Sequence, residues 1–161
     1  MIRPATRNDI PAMTEIYNYV IERNSATYDI EYKTIEQRTA WFESHKENNP
    51  ILVYEQNNKV IGYAGLSPFG PDDGYVYSVK LCIYLHSDAR GEGIGYELME
   101  ELISLAKSMD NIHTIVSEIT STNLPSIGIH ESFGFNYVGV LKDIAYKFGE
   151  YHDMLFYQLM V

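Results

Sequence analysis

From residue 9 to residue 23 the apolar side chains Ile10, Met13, Ile16, Tyr17, Val20 and Ile21 recur at three- and four-residue spacings, which places them on one helical face. Asp9 stands where a helix cap is needed, and Pro11 falls in the first turn. A second helix starts at Thr34, where Thr34 and Gln37 have capping-box spacing, and stops before Pro50. Residues 51–55 and 59–66 are rich in β-formers and flank Gln56-Asn57-Asn58, a hairpin signal. The loop SPFGPDDG (67–74) precedes a long alternating strand over 75–85. After three closely spaced glycines a helix buries Ile94, Leu98, Leu102, Leu105, Ala106 and Met109 and closes at Met109. A strand over 114–119 and a short helix over 124–132, stopped by Gly134, follow. The last third alternates about a hairpin at Phe148-Gly149. Hairpins mixed with crossover helices predict a mixed α/β sheet covered by helices.

No repeat, low-complexity tract or linker interrupts this order, so the 161 residues read as a single domain over 1–161, long enough to bury a core without metals or disulfides. Cys82 is the only cysteine, which rules out an internal disulfide and points to a reducing, cytoplasmic compartment. The N-terminal stretch is polar, without the apolar core of a signal peptide, and no apolar run reaches membrane-spanning length. A formal net charge of −10 without any lysine or arginine block argues against nucleic acid or an anionic membrane as partner, and leaves room for one small anionic ligand at a local site. No His/Cys/Asp cluster has metal-ligand spacing.

The candidate chemistry lies at Gly91, Gly93 and Gly95, where a strand gives way to a helix. A helix start offers free N–H groups and the positive end of its dipole to an anion, and glycines let phosphate oxygens approach. Arg90 can add a charge-assisted contact. The spacing fits neither a phosphate-binding loop of NTPases nor a dinucleotide fingerprint. Arg90-Gly91-Glu92-Gly93-Ile94-Gly95 instead matches the R/Q-x-x-G-x-G/A signature of the GNAT acetyltransferases. The opening IRPAT, the segment NLPSIGIHESFGF (123–135) and the ending YKFGEYHD (146–153) also stand where that family has them. Over nearly its full length the chain resembles the phosphinothricin and methionine-sulfoximine N-acetyltransferase branch.

The resemblance implies a mostly antiparallel, twisted GNAT sheet of six or seven strands with splayed middle strands and about four helices. It implies acetyl-CoA as co-substrate, a small-molecule primary amine as acceptor, direct transfer in a ternary complex, and a homodimer. The pantetheine arm would lie along the strand edge from Leu81 to Leu85, with the Ile83 N–H as oxyanion donor. Arg90, Gly91, Gly93, Ile94 and Gly95 would hold the pyrophosphate, while Asn123 and Ser126 match positions that touch the CoA arm. Capping of the short helix is the alternative role for Asn123. His130 would protonate the departing thiolate or position it. Tyr28, Tyr75, Tyr77 and His152 fall in segments that border the acceptor pocket; a backbone carbonyl partner is the alternative for His152. Two departures bear on the acceptor: Lys80 replaces the glutamate that acts through water as base, and Gly70 and Asp72 replace basic loop residues. These changes argue against phosphinothricin itself. An α-amine titrating near 8 is about one-tenth neutral at pH 7, so a missing base costs only about tenfold. Glu118 is the nearest replacement for the base, with simple solvation as its alternative. Cys82 reads as a strand residue, not a nucleophile. A non-catalytic acyl-CoA-binding module and a protein N-acetyltransferase remain alternative functions.

Overall fold

The computed structural model describes residues 1–45, 49–89 and 91–161. In chain order the elements are β1 (Ile2–Pro4), α1 (Ile10–Arg23), α2 (Ile35–Glu43), β2 (Ile51–Gln56), β3 (Lys59–Pro68), β4 (Ser78–Leu85), α3 (Ile94–Lys107), β5 (Thr114–Thr120), α4 (Leu124–Ser132), β6 (Asn136–Lys147) and β7 (Glu150–Met160). The strands form one seven-stranded sheet ordered β1-β2-β3-β4-β5-β7-β6, antiparallel except between β4 and β5. This is the mixed sheet covered by helices that the pattern predicts, mostly antiparallel and with four helices as the resemblance implies.

Side-chain alternation sorts the core onto two faces. Ile51, Val53 and Tyr63 pack under α1 and α2 with Ile10, Met13 and Ile16. Leu52, Ala64, Leu66, Leu81 and Ile115 pack under α3 and α4 with Leu98, Met99, Leu102 and Ala106. β3 is buried on both faces, which explains its nearly unbroken apolar run.

Local chemistry fixes most boundaries. Asn57 and Asn58 take φ of 53° and 60°, the left-handed pair that a two-residue hairpin turn requires. Thr34 and Gln37 form the expected capping box: the Gln37 N–H donates to Thr34 Oγ1 at 3.2 Å, and the Thr34 N–H donates to Gln37 Oε1 at 2.9 Å. Thr34→Ala should lower stability by about 1 kcal/mol, read as a shift in the denaturation midpoint at unchanged slope.

Three expectations are corrected. Asp9 precedes α1 but does not cap it, because its carboxylate accepts from the Thr6 N–H at 2.7 Å and from both terminal nitrogens of Arg3 at 2.8 Å. The strand expected from residue 75 begins at Ser78, since Asp73–Tyr75 coil into a single 3₁₀ turn. α3 closes at Lys107, and Met109 packs beyond its end.

Candidate active site

The site begins as a fork in the sheet. β4 pairs with β5 only from Ser78 to Lys80, against Thr114 to Val116. Beyond that rung each strand keeps its other neighbour: β4 follows β3 as far as Leu85, and β5 follows β7 as far as Thr120. The direction of the free β4 groups follows from register. Phe69 donates to Ser78 O at one end and His86 to Ile61 O at the other, so the hydrogen-bonded rungs between β3 and β4 alternate through Cys82 and Tyr84. The N–H and C=O groups of Leu81, Ile83 and Leu85 therefore face away from β3, into the fork.

A cavity of about 710 Å³ runs from this fork to the start of α3, lined by Ile83, Leu85, Gly91, Gly93, Asn123 and His130 among others. Gly91 and Gly93 have φ of +79° and +81°, and a Cβ on either would meet no atom within 4 Å, so both face open space. Gly93 caps α3, whose first intrahelical bond is Glu97 N–H to Gly93 O at 3.1 Å. The N–H groups of Ile94, Gly95 and Tyr96 precede that bond and are available to an anion. Gly95 differs: a Cβ there would lie 3.4 Å from Leu85 and 3.5 Å from Ile129, in ordinary contact with strand and helix rather than facing open space. Arg90 lies outside the described residues. The open cradle and free N–H groups fit a pyrophosphate.

α4 delivers the histidine. Asn123 caps it, accepting from the Ser126 N–H at 3.4 Å, while Asn123 and Ser126 also line the cavity. His130, 2 % exposed, lies with Nδ1 2.7 Å from Ser126 O and Nε2 2.9 Å from Ser117 Oγ. A carbonyl can only accept, so Nδ1 carries the proton of the neutral ring. Nε2 then accepts from the Ser117 hydroxyl. Burial holds the imidazole below its ordinary 6.5, against the opposing pull of the Ser126 carbonyl. Sequence reasoning misses Ser117; the available signal is a hydroxyl in register with buried Ile115 and Ile119 on β5.

At the closed end of the fork, Lys80 Nζ lies 3.0 Å from Glu118 Oε1, each side chain about one-third exposed. Both line a second cavity of about 170 Å³ together with Ser117 and His130. Cys82 lines it as well, and burial pushes its thiol up to about 11, which leaves it protonated and unsuited to attack. The remaining expected acceptor residues line none of the cavities described. Tyr75 packs its ring 5.0 Å from Phe69, and Tyr77 is exposed. His152 is buried with Nε2 2.8 Å from Lys147 O, the backbone partner considered as its alternative.

The loop after α1 closes the cleft through Asn24, Ser25 and Ala26. Distant parts of the chain hold it. Lys147, 4 % exposed, donates to Asn24 O at 2.9 Å and Thr27 O at 2.8 Å. Thr120 Oγ1 donates to Ser25 O, and the Tyr28 hydroxyl donates to Asp153 O at 2.7 Å.

A glycine-capped helix start, a forked sheet and a buried histidine between them define an acyl-transfer cleft. The chain belongs to the GNAT acetyltransferase family: the model of the Acetyltransferase (GNAT) domain matches residues 2–156. It is an N-acetyltransferase, in a family that uses acetyl-CoA. The chain is 34 % identical to an L-methionine sulfoximine/L-methionine sulfone acetyltransferase of Salmonella typhimurium, covering 99 % of this chain and 94 % of that one. A ribosomal-protein-alanine N-acetyltransferase structure from Brucella melitensis is 38 % identical with a TM-score of 0.95, covering 100 % and 99 %. A phosphinothricin acetyltransferase from Sinorhizobium meliloti, solved with acetyl-CoA, is 29 % identical with a TM-score of 0.95, covering 100 % and 88 %. Among the described residues no group of acidic, histidine or cysteine side chains is arranged to hold a metal, and no helix is long and apolar enough to cross a membrane.

Proposed function

We propose that the protein transfers acetyl from acetyl-CoA to the primary amine of a small, amino-acid-like molecule, by direct attack within a ternary complex. The observation that carries this reading is the fork itself, where the Ile83 N–H and the His130–Ser117 pair face one another's strands across a gap reached from both sides of the sheet. In this reading Gly91, Gly93, Ile94 and Gly95 hold the pyrophosphate, with Arg90 beside them. Asn123 and Ser126 border the CoA arm, and the Ile83 N–H receives the charge that develops on the thioester oxygen. Leu85 offers its fork-facing backbone to the pantetheine amides.

Glu118, held by Lys80, takes the first proton of the acceptor ammonium through water. As the amine adds to the carbonyl carbon it sheds a second proton, which passes through Ser117 Oγ to His130 Nε2. His130 then returns that proton by the same route to the departing thiolate sulfur as the C–S bond breaks. The acid role that the resemblance implies for His130 thus follows a step in which the neutral ring first accepts.

Ser117→Ala tests the route. The variant removes the relay hydroxyl at Nε2 and should lower kcat across the pH range, while burial still holds the His130 ring below its ordinary 6.5, so the acidic limb of kcat/KM stays below that value.

The function itself is tested by titrating acetyl-CoA into the protein and then assaying free amino acids against peptides with an N-terminal alanine. Turnover of the free amino acids supports the reading. Peptide-only turnover would replace it with protein N-terminal acetylation, the second reading that the Brucella relative's name supports.

The last strand of the sheet, β6, exposes Tyr137, Val138, Leu141 and Ile144. In this reading a second copy covers that apolar edge. Light scattering should give twice 18.5 kDa; the mass of a single chain would overturn the dimer. The lone Cys82 agrees with a cytoplasmic setting.

A further inference from the structure

α2 is a polar helix with one buried residue, Arg38, 6 % exposed. Its guanidinium carbon sits 3.8 Å from the centroid of the Trp41 ring, 4.6 Å from that of Tyr17 and 5.8 Å from that of Tyr63. Nη2 donates to the Tyr63 hydroxyl at 3.0 Å. Nε is buried without a hydrogen-bond partner, and no carboxylate among the described residues pairs with this cation. The acid among the described residues that line the same cavity, Asp29, is already engaged: the Tyr17 hydroxyl donates to it at 2.5 Å, and Lys33 lies 3.5 Å away.

A buried cation without a counter-charge is costly, and aromatic faces offset only part of that cost. Arginine is the side chain that best grips a carboxylate, because its planar fork matches two oxygens at once. Arg38 lines a cavity of about 350 Å³ floored by Trp41, Tyr17 and Tyr84, large enough for an amino acid. Ser67, Cys82 and Tyr84 line both this cavity and the one at the fork, so one small molecule can span the two. The loop between β3 and β4 supplies Asp72 and Asp73 and no lysine or arginine; of the two described cations that line the cavity, Lys33 pairs with Asp29 and Arg38 has no carboxylate partner.

We infer that Arg38 binds the carboxylate of the acceptor, whose amine then reaches the thioester at the fork. This rests on the proposed acetylation of an amine, and it assigns the group that selects amino acids over simple amines. The occupant supplies the missing counter-charge, so an acceptor without a carboxylate leaves the cation unpaired and binds poorly.

The test compares each proteinogenic L-amino acid with its carboxamide on the acetyl-CoA-saturated protein, following CoA release, for wild type, Arg38→Lys and Arg38→Met. Wild type should favour the acids in kcat/KM by roughly 10- to 150-fold, the range expected of hydrogen bonds to a charged group. Arg38→Met should erase that ratio by losing acid turnover while amide turnover holds, and Arg38→Lys should fall between. Equal use of acids and amides by wild type overturns the inference, a result that needs no variant. So does a parallel loss of both in Arg38→Met at unchanged acetyl-CoA affinity. Titration of the N-acetylated acids and amides into the CoA-bound protein separates the two readings. Carboxylate-dependent binding lost in Arg38→Met, with no amine turned over, sinks the acetylation reading and keeps this one; turnover blind to the carboxylate does the reverse.

Discussion

His130→Ala is expected to lower kcat by roughly 10²- to 10⁴-fold, the usual contribution of a positioned acid–base group, while acetyl-CoA still binds. A ring 2 % exposed, with its Nδ1 proton committed to a carbonyl, is neutral at pH 7 and presents one lone pair toward Ser117. The variant removes that proton acceptor without touching the glycine cradle, so stopped-flow single turnover should slow while equilibrium titration does not. The pH dependence has a definite sign. Activity requires the neutral ring, whose pKa lies below 6.5, so wild-type kcat/KM falls as pH drops through that lowered value. His130→Ala should lose that acidic limb. Stability moves in the same direction: below about pH 6.5 the unfolded chain binds a proton that the folded site resists, so the fold weakens as the solution is acidified. An unchanged kcat, or an acidic limb that persists in the variant, would remove His130 from the chemistry.

Gly93→Asp is expected to weaken acetyl-CoA binding by about 100-fold or more, equivalent to at least 2.7 kcal/mol. Space is not the cause, since a Cβ at Gly93 meets nothing within 4 Å. Two other costs combine. At φ +81° a residue with a Cβ meets a backbone penalty of up to about 1–2 kcal/mol, smaller for aspartate than for most, which disfavours the native shape of the turn. In addition, a carboxylate would sit over the N–H groups that await the pyrophosphate, occupying the anion site with the wrong charge. Gly128→Ala serves as control: its Cβ also meets nothing within 4 Å, its φ is not positive, and it is not among the residues that line the cleft. Isothermal titration with acetyl-CoA and with desulfo-CoA should show the loss for both ligands in Gly93→Asp and for neither in the control. Retained affinity would mean that the start of α3 is not the pyrophosphate site.

Features governed by a few neighbouring residues are legible in the amino-acid pattern alone. The Asn57-Asn58 turn, the Thr34–Gln37 box and the apolar stripe of α1 each depend on contacts within one element, and each forms as the pattern implies. The glycine cradle is legible for the same reason. Residues 75–77 mislead because tyrosine and valine favour strands wherever they occur. Here the Tyr75 N–H bonds to Asp72 O at 3.0 Å and the Val76 N–H to Asp73 O at 3.3 Å, which curls the chain before β4 can start. Arg38 is illegible for a different reason. On a polar helix one more arginine looks solvated, and its burial arises only where rings from α1, α2 and β3 converge. The Lys80–Glu118 contact likewise depends on the parallel register of β4 and β5, which no local pattern encodes.

The anchoring of the loop after α1 sets a schedule for biosynthesis. Its carbonyls at Asn24 and Thr27 are gripped by Lys147, and Tyr28 reaches Asp153. A ribosome must therefore translate past Asp153 before residues 24–28 find all their partners. Until then a nascent chain holds the glycine turn but an unfinished wall beside it. Catalytic competence thus waits for the β6–β7 hairpin, and a polypeptide abandoned before it would lack the anchors of that wall.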